Sequence, residues 1–232
     1  MPEHRTTMGE IAEGVGGALS MLAAFATPNL RRERAISGAT QEEAARSWPG
    51  DDIVPAPRWW WHHAVEIAAP ASAVWPWVVQ IGADRGGFYS YEALENLAGC
   101  HLDNAERIHP EWQSLAVGDG LRVHPKMPPL PIHWVEPERG FVAGTRVELG
   151  TERVIPLGSP LPEEHLAVSW LFAITPLAGD RSQFVSRYRV SYGDDLQTRL
   201  SMGPVWIEPI GTVMDGRMLA GLRERAEASY RP

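Results

Sequence analysis

Hydrophobic and polar positions change their rhythm several times along the chain. From Trp59 to Ala69 they alternate, with Val65 and Ile67 on one side and Ala64, Glu66 and Ala68 on the other, which predicts a first strand stopped by Pro70. The next string, PASAVWPWVVQIG, puts Pro70 and Ser72 at a helix start and Val74, Trp77, Val78 and Ile81 at helical spacing. Pro76 fits such a helix only within its first turn, where a missing N–H costs nothing. A second helix is predicted over Ser90 to Leu97, with Ser90 as N-cap and Gly99 beyond its end. After Gly99 come short segments at 121–124, 131–137, 140–149, 167–175 and 184–192, separated by Gly118-Asp119-Gly120, Glu138-Arg139-Gly140, Gly158-Ser159-Pro160 and Gly179-Asp180. These read as antiparallel strands. Val168, Trp170, Phe172 and Ile174 share one side of their strand, as Phe184, Tyr188, Val190 and Tyr192 do of theirs, while Arg187 and Arg189 point the other way. Pro209 to Tyr230 carries Ile210, Val213, Met214, Arg217, Met218, Gly221, Leu222 and Arg225 near one face, which predicts a long closing helix. The order predicts an α+β fold, an antiparallel sheet covered on one face by helices with an apolar hollow between them.

Ahead of this region the pattern is weak. Val15 to Ala26 (VGGALSMLAAFA) is a short apolar run, followed by a polar stretch in which Thr40 and Glu43 have capping-box spacing. PGDDIVPAP, residues 49–57, forbids a regular element, so residues 1–48 are assigned to a partly helical N-terminal arm and 49–232 to one folded domain. The apolar run is too short to span a bilayer, which takes about 20 residues, and acidic residues stand where a signal peptide would be basic. It reads as a packed or surface-lying helix of a soluble, cytoplasmic protein.

Composition narrows the partners. A net charge of −8 on 232 residues leaves no basic face for a phosphate backbone, so nucleic acid is not an expected partner. The single cysteine, Cys100, permits no disulfide within the chain and reads as a buried, inert thiol. Ten tryptophans, against five tyrosines and five phenylalanines, supply large apolar rings for a core or for a cavity wall. The histidines show no metal-ligand spacing, and no phosphate-binding or nucleophile-elbow motif is present, so neither metal nor nucleotide cofactor is implied. Arg58-Trp59-Trp60-Trp61 is anomalous, because alternation exposes at least one Trp unless the arm, a homodimer partner or a membrane surface covers it, in that order of preference.

AAPASAVWPWVVQIG, DRGGFYSYEALENLAGC (84–100), NAERIHPEWQSLAVGD (104–119) and MDGRMLAGLRERAE (214–227), taken with the element order, resemble the START-like helix-grip superfamily (SRPBCC). That superfamily includes START lipid carriers and polyketide cyclases and dehydratases. The resemblance covers about residues 50–230 and implies a curved antiparallel sheet wrapped around a long C-terminal helix.

Two sets of side chains are candidates for chemistry. Asp84, Arg85, Tyr89, Tyr91, Glu95, Asn96, Asp103 and Asn104 form a polar and aromatic cluster around Gly86-Gly87. Either it fixes a tight turn, or Arg85 holds a carboxylate or enolate while Tyr89 or Tyr91 donates a proton, with Glu95 and Asn104 touching the ligand. The second set is apolar: Trp134, Trp170, Phe172, Met202, Trp206, Met214 and Met218, with Tyr188 beside them, as core or as the wall of a ligand cavity. The leading expectation is binding of a small lipophilic molecule between sheet and C-terminal helix. The rival is a polyketide cyclase- or dehydratase-like enzyme acting without metal or nucleotide, and whether the chain is an enzyme stays open.

Overall fold

A computed structural model of the chain describes residues 8–230; residues 1–7 of the predicted arm lie outside that range. Among the described residues the strands are β1 (Ile36–Ser37), β2 (Trp59–Ile67), β3 (Gly120–Leu121), β4 (Leu130–Glu136), β5 (Gly140–Glu148), β6 (Arg153–Val154), β7 (His165–Leu177) and β8 (Arg181–Tyr192). They form one sheet in the order β1-β2-β8-β7-β5-β4-β3, with β6 added at β5. Only the β1–β2 pair is parallel; the others are antiparallel. The helices are α1 (Met8–Ala26), α2 (Arg31–Arg34), α3 (Gln41–Ala45), α4 (Ala71–Val79), α5 (Glu92–Leu97), α6 (Leu196–Met202) and α7 (Ile207–Ser229). This is the helix-grip architecture: a curved antiparallel sheet whose inner face holds a long C-terminal helix.

Alternation along the strands builds both faces of the sheet. Ile67, Phe141, Phe172, Ile174 and Phe184 point inward and pack with Val74 and Val78 of α4 and Met218, Leu222 and Ala226 of α7. Outward-facing Ala64, Val142, Ala167, Leu171, Ala173 and Val185 are covered by Ile53 and Val54. Small alanines let that irregular segment lie close to the strands. Two arginines fasten it. Arg187 donates to Asp51 at 2.8 and 3.1 Å and to the Ala44 carbonyl at 3.0 Å, while Arg189 donates to the carbonyls of Val54 and Pro55. Beside them His62 is fully buried against Trp48, and burial together with the Arg187 charge lowers its imidazole to about 4. The Thr40–Glu43 capping box opens α3 as its spacing predicted.

Four local expectations need correction. Pro76 lies in the second turn of α4, where it removes a helical hydrogen bond; the burial of Val74, Trp77 and Val78 offsets a cost of about 3 kcal/mol. Ser90 is not the cap of α5. Tyr91 holds that position without a side-chain bond, because the Ser90 hydroxyl donates to the Met214 carbonyl of α7. The strand expected over 121–124 pairs only at Gly120–Leu121. Trp59 and Trp61, finally, are inward and buried, so the anomalous string leaves only Trp60 on the outer face, half-buried with the Arg187 guanidinium 5.6 Å from its ring centroid.

Candidate functional site

Where the sheet curves away from α7 it leaves an apolar pocket of about 540 Å³. Trp61 of β2 and Trp170 of β7 line the sheet side, Met214 and Met218 the α7 side, and Phe88, Leu94, Glu95 and Cys100 the wall formed around α5. Met21 of α1 and His124 complete it. The Phe88 and Trp170 rings stack with centroids 5.9 Å apart. Gly211 is the residue that lets α7 approach, since a Cβ there would stand 2.9 Å from the Trp61 ring.

Polar groups at this pocket are few and mostly paired. Asp215 of α7 is buried, with His63 Nδ1 at hydrogen-bond distance, 2.6 Å, from one carboxyl oxygen and the Ser186 hydroxyl donating to the other at 2.6 Å. Ser186 in turn accepts from Trp170 Nε1 at 3.0 Å, and His63 Nε2 donates to the Arg34 carbonyl at 2.8 Å. The carboxylate sits between Ser and His, so His63 cannot take the Ser186 proton as it would in a nucleophilic triad. The trio anchors α7 to β2 and β8. Glu95 differs. It is 8% exposed, and its Oε2 is sealed from water without a hydrogen-bond partner. Burial, helped by the like charge of Glu92, pushes its carboxyl up to about 7. Burial and Glu95 also raise the Cys100 thiol, which disfavours the nucleophilic thiolate.

A second pocket, of about 590 Å³, runs between α1, α5 and α7 and is polar. Its arginines are matched by carboxylates, Arg217 with Glu13 and Glu224, and Arg225 with Glu106. These ion pairs hold the helices together across the groove, whereas the apolar pocket offers the surface a lipophilic ligand needs and is the better candidate.

The expected site residues divide. Glu95, Trp170, Met214 and Met218 line the apolar pocket. Arg85 does not: its guanidinium donates to the carbonyls of Val79 at 3.0 Å and Ser114 at 2.9 Å, tying two loops. The Tyr89 hydroxyl donates to the Trp77 carbonyl at 2.9 Å, and burial pushes the phenol above its ordinary range, which removes it as an available acid. Tyr91 lies under α1, where a Cβ on Gly17 would meet its ring at 3.1 Å. Asn104 accepts from the Phe88 and Tyr89 N–H groups and donates to the Ser90 carbonyl, so it shapes the turn. Tyr89, Tyr91 and Asn104 edge the polar pocket instead.

Among the apolar candidates, Phe172 is fully buried core, and Tyr188 stacks on Trp61 at 4.6 Å outside the pocket lining. Met202 packs with the Trp59–Trp61 cluster, and Trp206 is 54% exposed against Phe25. Trp134 faces the wrong way. A register shift between Ile132 and Trp134 sets Trp134 opposite Val142, on the outer face, although two-residue spacing from inward Ile132 predicts the inner one.

Sequence reasoning passed over His63, Ser186 and Asp215. The signal was there: His63 and Ser186 fall on the inward alternation of their strands, and Asp215 shares the buried stripe of Met218, Leu222 and Ala226. Polar residues at inward positions of three elements are expected to meet.

No protein-family model matches the chain, and no curated protein matches it. Solved structures similar to it include a protein from Mesorhizobium loti, at 15% identity and a TM-score of 0.36, covering 73% of this chain and 99% of that one. A polyketide-cyclase-like protein from Corynebacterium glutamicum is 16% identical with a TM-score of 0.35, over 71% and 90% of the two chains. The Zhui aromatase/cyclase from a Streptomyces species is 14% identical with a TM-score of 0.32, over 75% and 96%. Such likenesses carry no argument about function; the helix-grip class is defined by the chain's own sheet order and closing helix. Among the described residues no helix is long and apolar enough to cross a membrane, and no cluster of His, Cys, Asp or Glu is arranged to hold a metal.

Proposed function

We propose that the protein binds a small lipophilic molecule in the pocket between the sheet and α7, as a cytoplasmic binder working without metal or nucleotide. The observation that carries this reading is the pocket itself: about 540 Å³, lined almost wholly by apolar and aromatic atoms, in the size range of small-molecule sites.

Native mass spectrometry of untagged protein, with Nile red as a neutral lipophilic probe, tests it. The expected result is a one-to-one adduct that vanishes on denaturation and is displaced by Nile red. Met214→Trp, which adds bulk to a half-buried wall position, is expected to block uptake while the variant still unfolds cooperatively. Nile red uptake unchanged by Met214→Trp would sink the assignment to this pocket.

Glu95 also favours a second reading, cyclisation or dehydration of a poly-keto substrate, since a carboxyl titrating near neutrality suits a general acid or base. It lacks the oxyanion holder such chemistry needs, Arg85 being bonded to backbone carbonyls elsewhere.

A further inference from the structure

Resting on the binding reading above, we propose that the ligand is a lipophilic amine, its apolar body against Phe88, Trp170 and the methionines and its ammonium beside Glu95. The charges on the pocket wall exclude the opposite choice. Among the described residues the lining contains no Lys or Arg. His124 is its only basic group besides the neighbouring His63, and it is engaged twice, accepting from the Lys126 N–H at Nδ1 and donating from Nε2 to the Ala98 carbonyl, which fits the neutral ring. Asp215 already has His63 and Ser186. Glu95 is left as the one buried lining carboxyl with an oxygen lacking any partner.

A fatty-acid carboxylate or an enolate would place a second negative charge in this low-dielectric space with nothing to offset it. An ammonium supplies what Glu95 lacks, a counter-ion and charge-assisted hydrogen bonds, and an aromatic wall favours a cation over an anion. A neutral alcohol satisfies one hydrogen bond at most. The groups that set the Glu95 charge are Glu92 on its own helix, Cys100 in the following turn, and His124 and Asp215 from the other walls of the pocket. None of them is a free cation.

Three probes with one carbon skeleton separate the cases: phenylbutylamine, phenylbutanol and phenylbutyrate, titrated calorimetrically into wild type and Glu95→Gln at neutral pH. The amine is expected to bind wild type on the order of tenfold more tightly than the alcohol, with the carboxylate weakest. Glu95→Gln should erase that preference, so that amine and alcohol bind the variant alike. In wild type, amine binding should also release protons, seen as a heat that depends on the buffer's ionisation enthalpy, because the ammonium drives Glu95 to its ionised form. This readout needs no variant, and a purely structural Glu95 would not move it. Equal affinities for amine and alcohol, tightest binding of the carboxylate, or no proton release overturns the proposal while Nile red still binds. Failure of Nile red and all three probes to bind overturns the binding reading itself.

Discussion

A carboxyl group walled off from water makes folding itself sensitive to pH. The folded protein holds the Glu95 proton up to about 7, whereas in the unfolded chain the group titrates near its ordinary value of 4.5. The folded state therefore binds more protons between those values, and stability falls as pH rises through that window. Glu95→Gln, which keeps the shape and removes the charge, is expected to be more stable than wild type above pH 7 by up to about 3 kcal/mol and indistinguishable from it near pH 4. Urea unfolding at a series of pH values measures this; a constant difference across the series would mean that the carboxyl is not desolvated. Glu95 was visible in the sequence as one member of a polar cluster. Its separation from Arg85, Tyr89 and Asn104 was not, because the tight turn at Gly86-Gly87 sends neighbours in sequence to different loops and different pockets.

At the scale of elements, the strands were the legible part. Two-residue alternation in β2, β7 and β8 and Gly-marked turns set their extents to within a few residues, since the large rings of these strands lie on the face toward the helices and a slip would turn them away from it. The unread pieces have physical causes. Strands of two residues such as β1 and β6 are too short to show a period, α6 carries no buried residue and hence no stripe, and the bulge in β4 turned Trp134 outward. The outer face also depends on Asp51, the carboxylate shared by Arg187 and Arg189, which alternation only hinted at by pointing both arginines outward. The Arg187 guanidinium is 5% exposed. Asp51→Ala leaves a buried cation without its counter-ion, so a loss of about 3 kcal/mol is expected in denaturant unfolding, with faster amide exchange over residues 44–55. Wild-type exchange there would show that Ile53, Val54 and the arginine bonds to the backbone carbonyls hold the segment without the ion pair.

For the molecule as a whole, element order was enough to read the α+β architecture, because a strand, two helices, a strand meander and a long final helix can bury their faces in few ways. What element order could not give was the covering of the outer face by irregular chain, which has no period to detect. That covering bears on self-association. Trp60 sits beneath Arg187 in a surface the chain covers for itself, so Trp60→Ser is expected to leave the elution volume on size-exclusion chromatography unchanged. A shift toward a smaller species would show that a second copy uses this face.

Met21 of α1 and Met218 of α7 stand in the wall of one pocket, although they lie far apart in the sequence. That wall exists only where α1 and α7 pack against each other. A fragment that lacks either helix therefore lacks one side of the pocket.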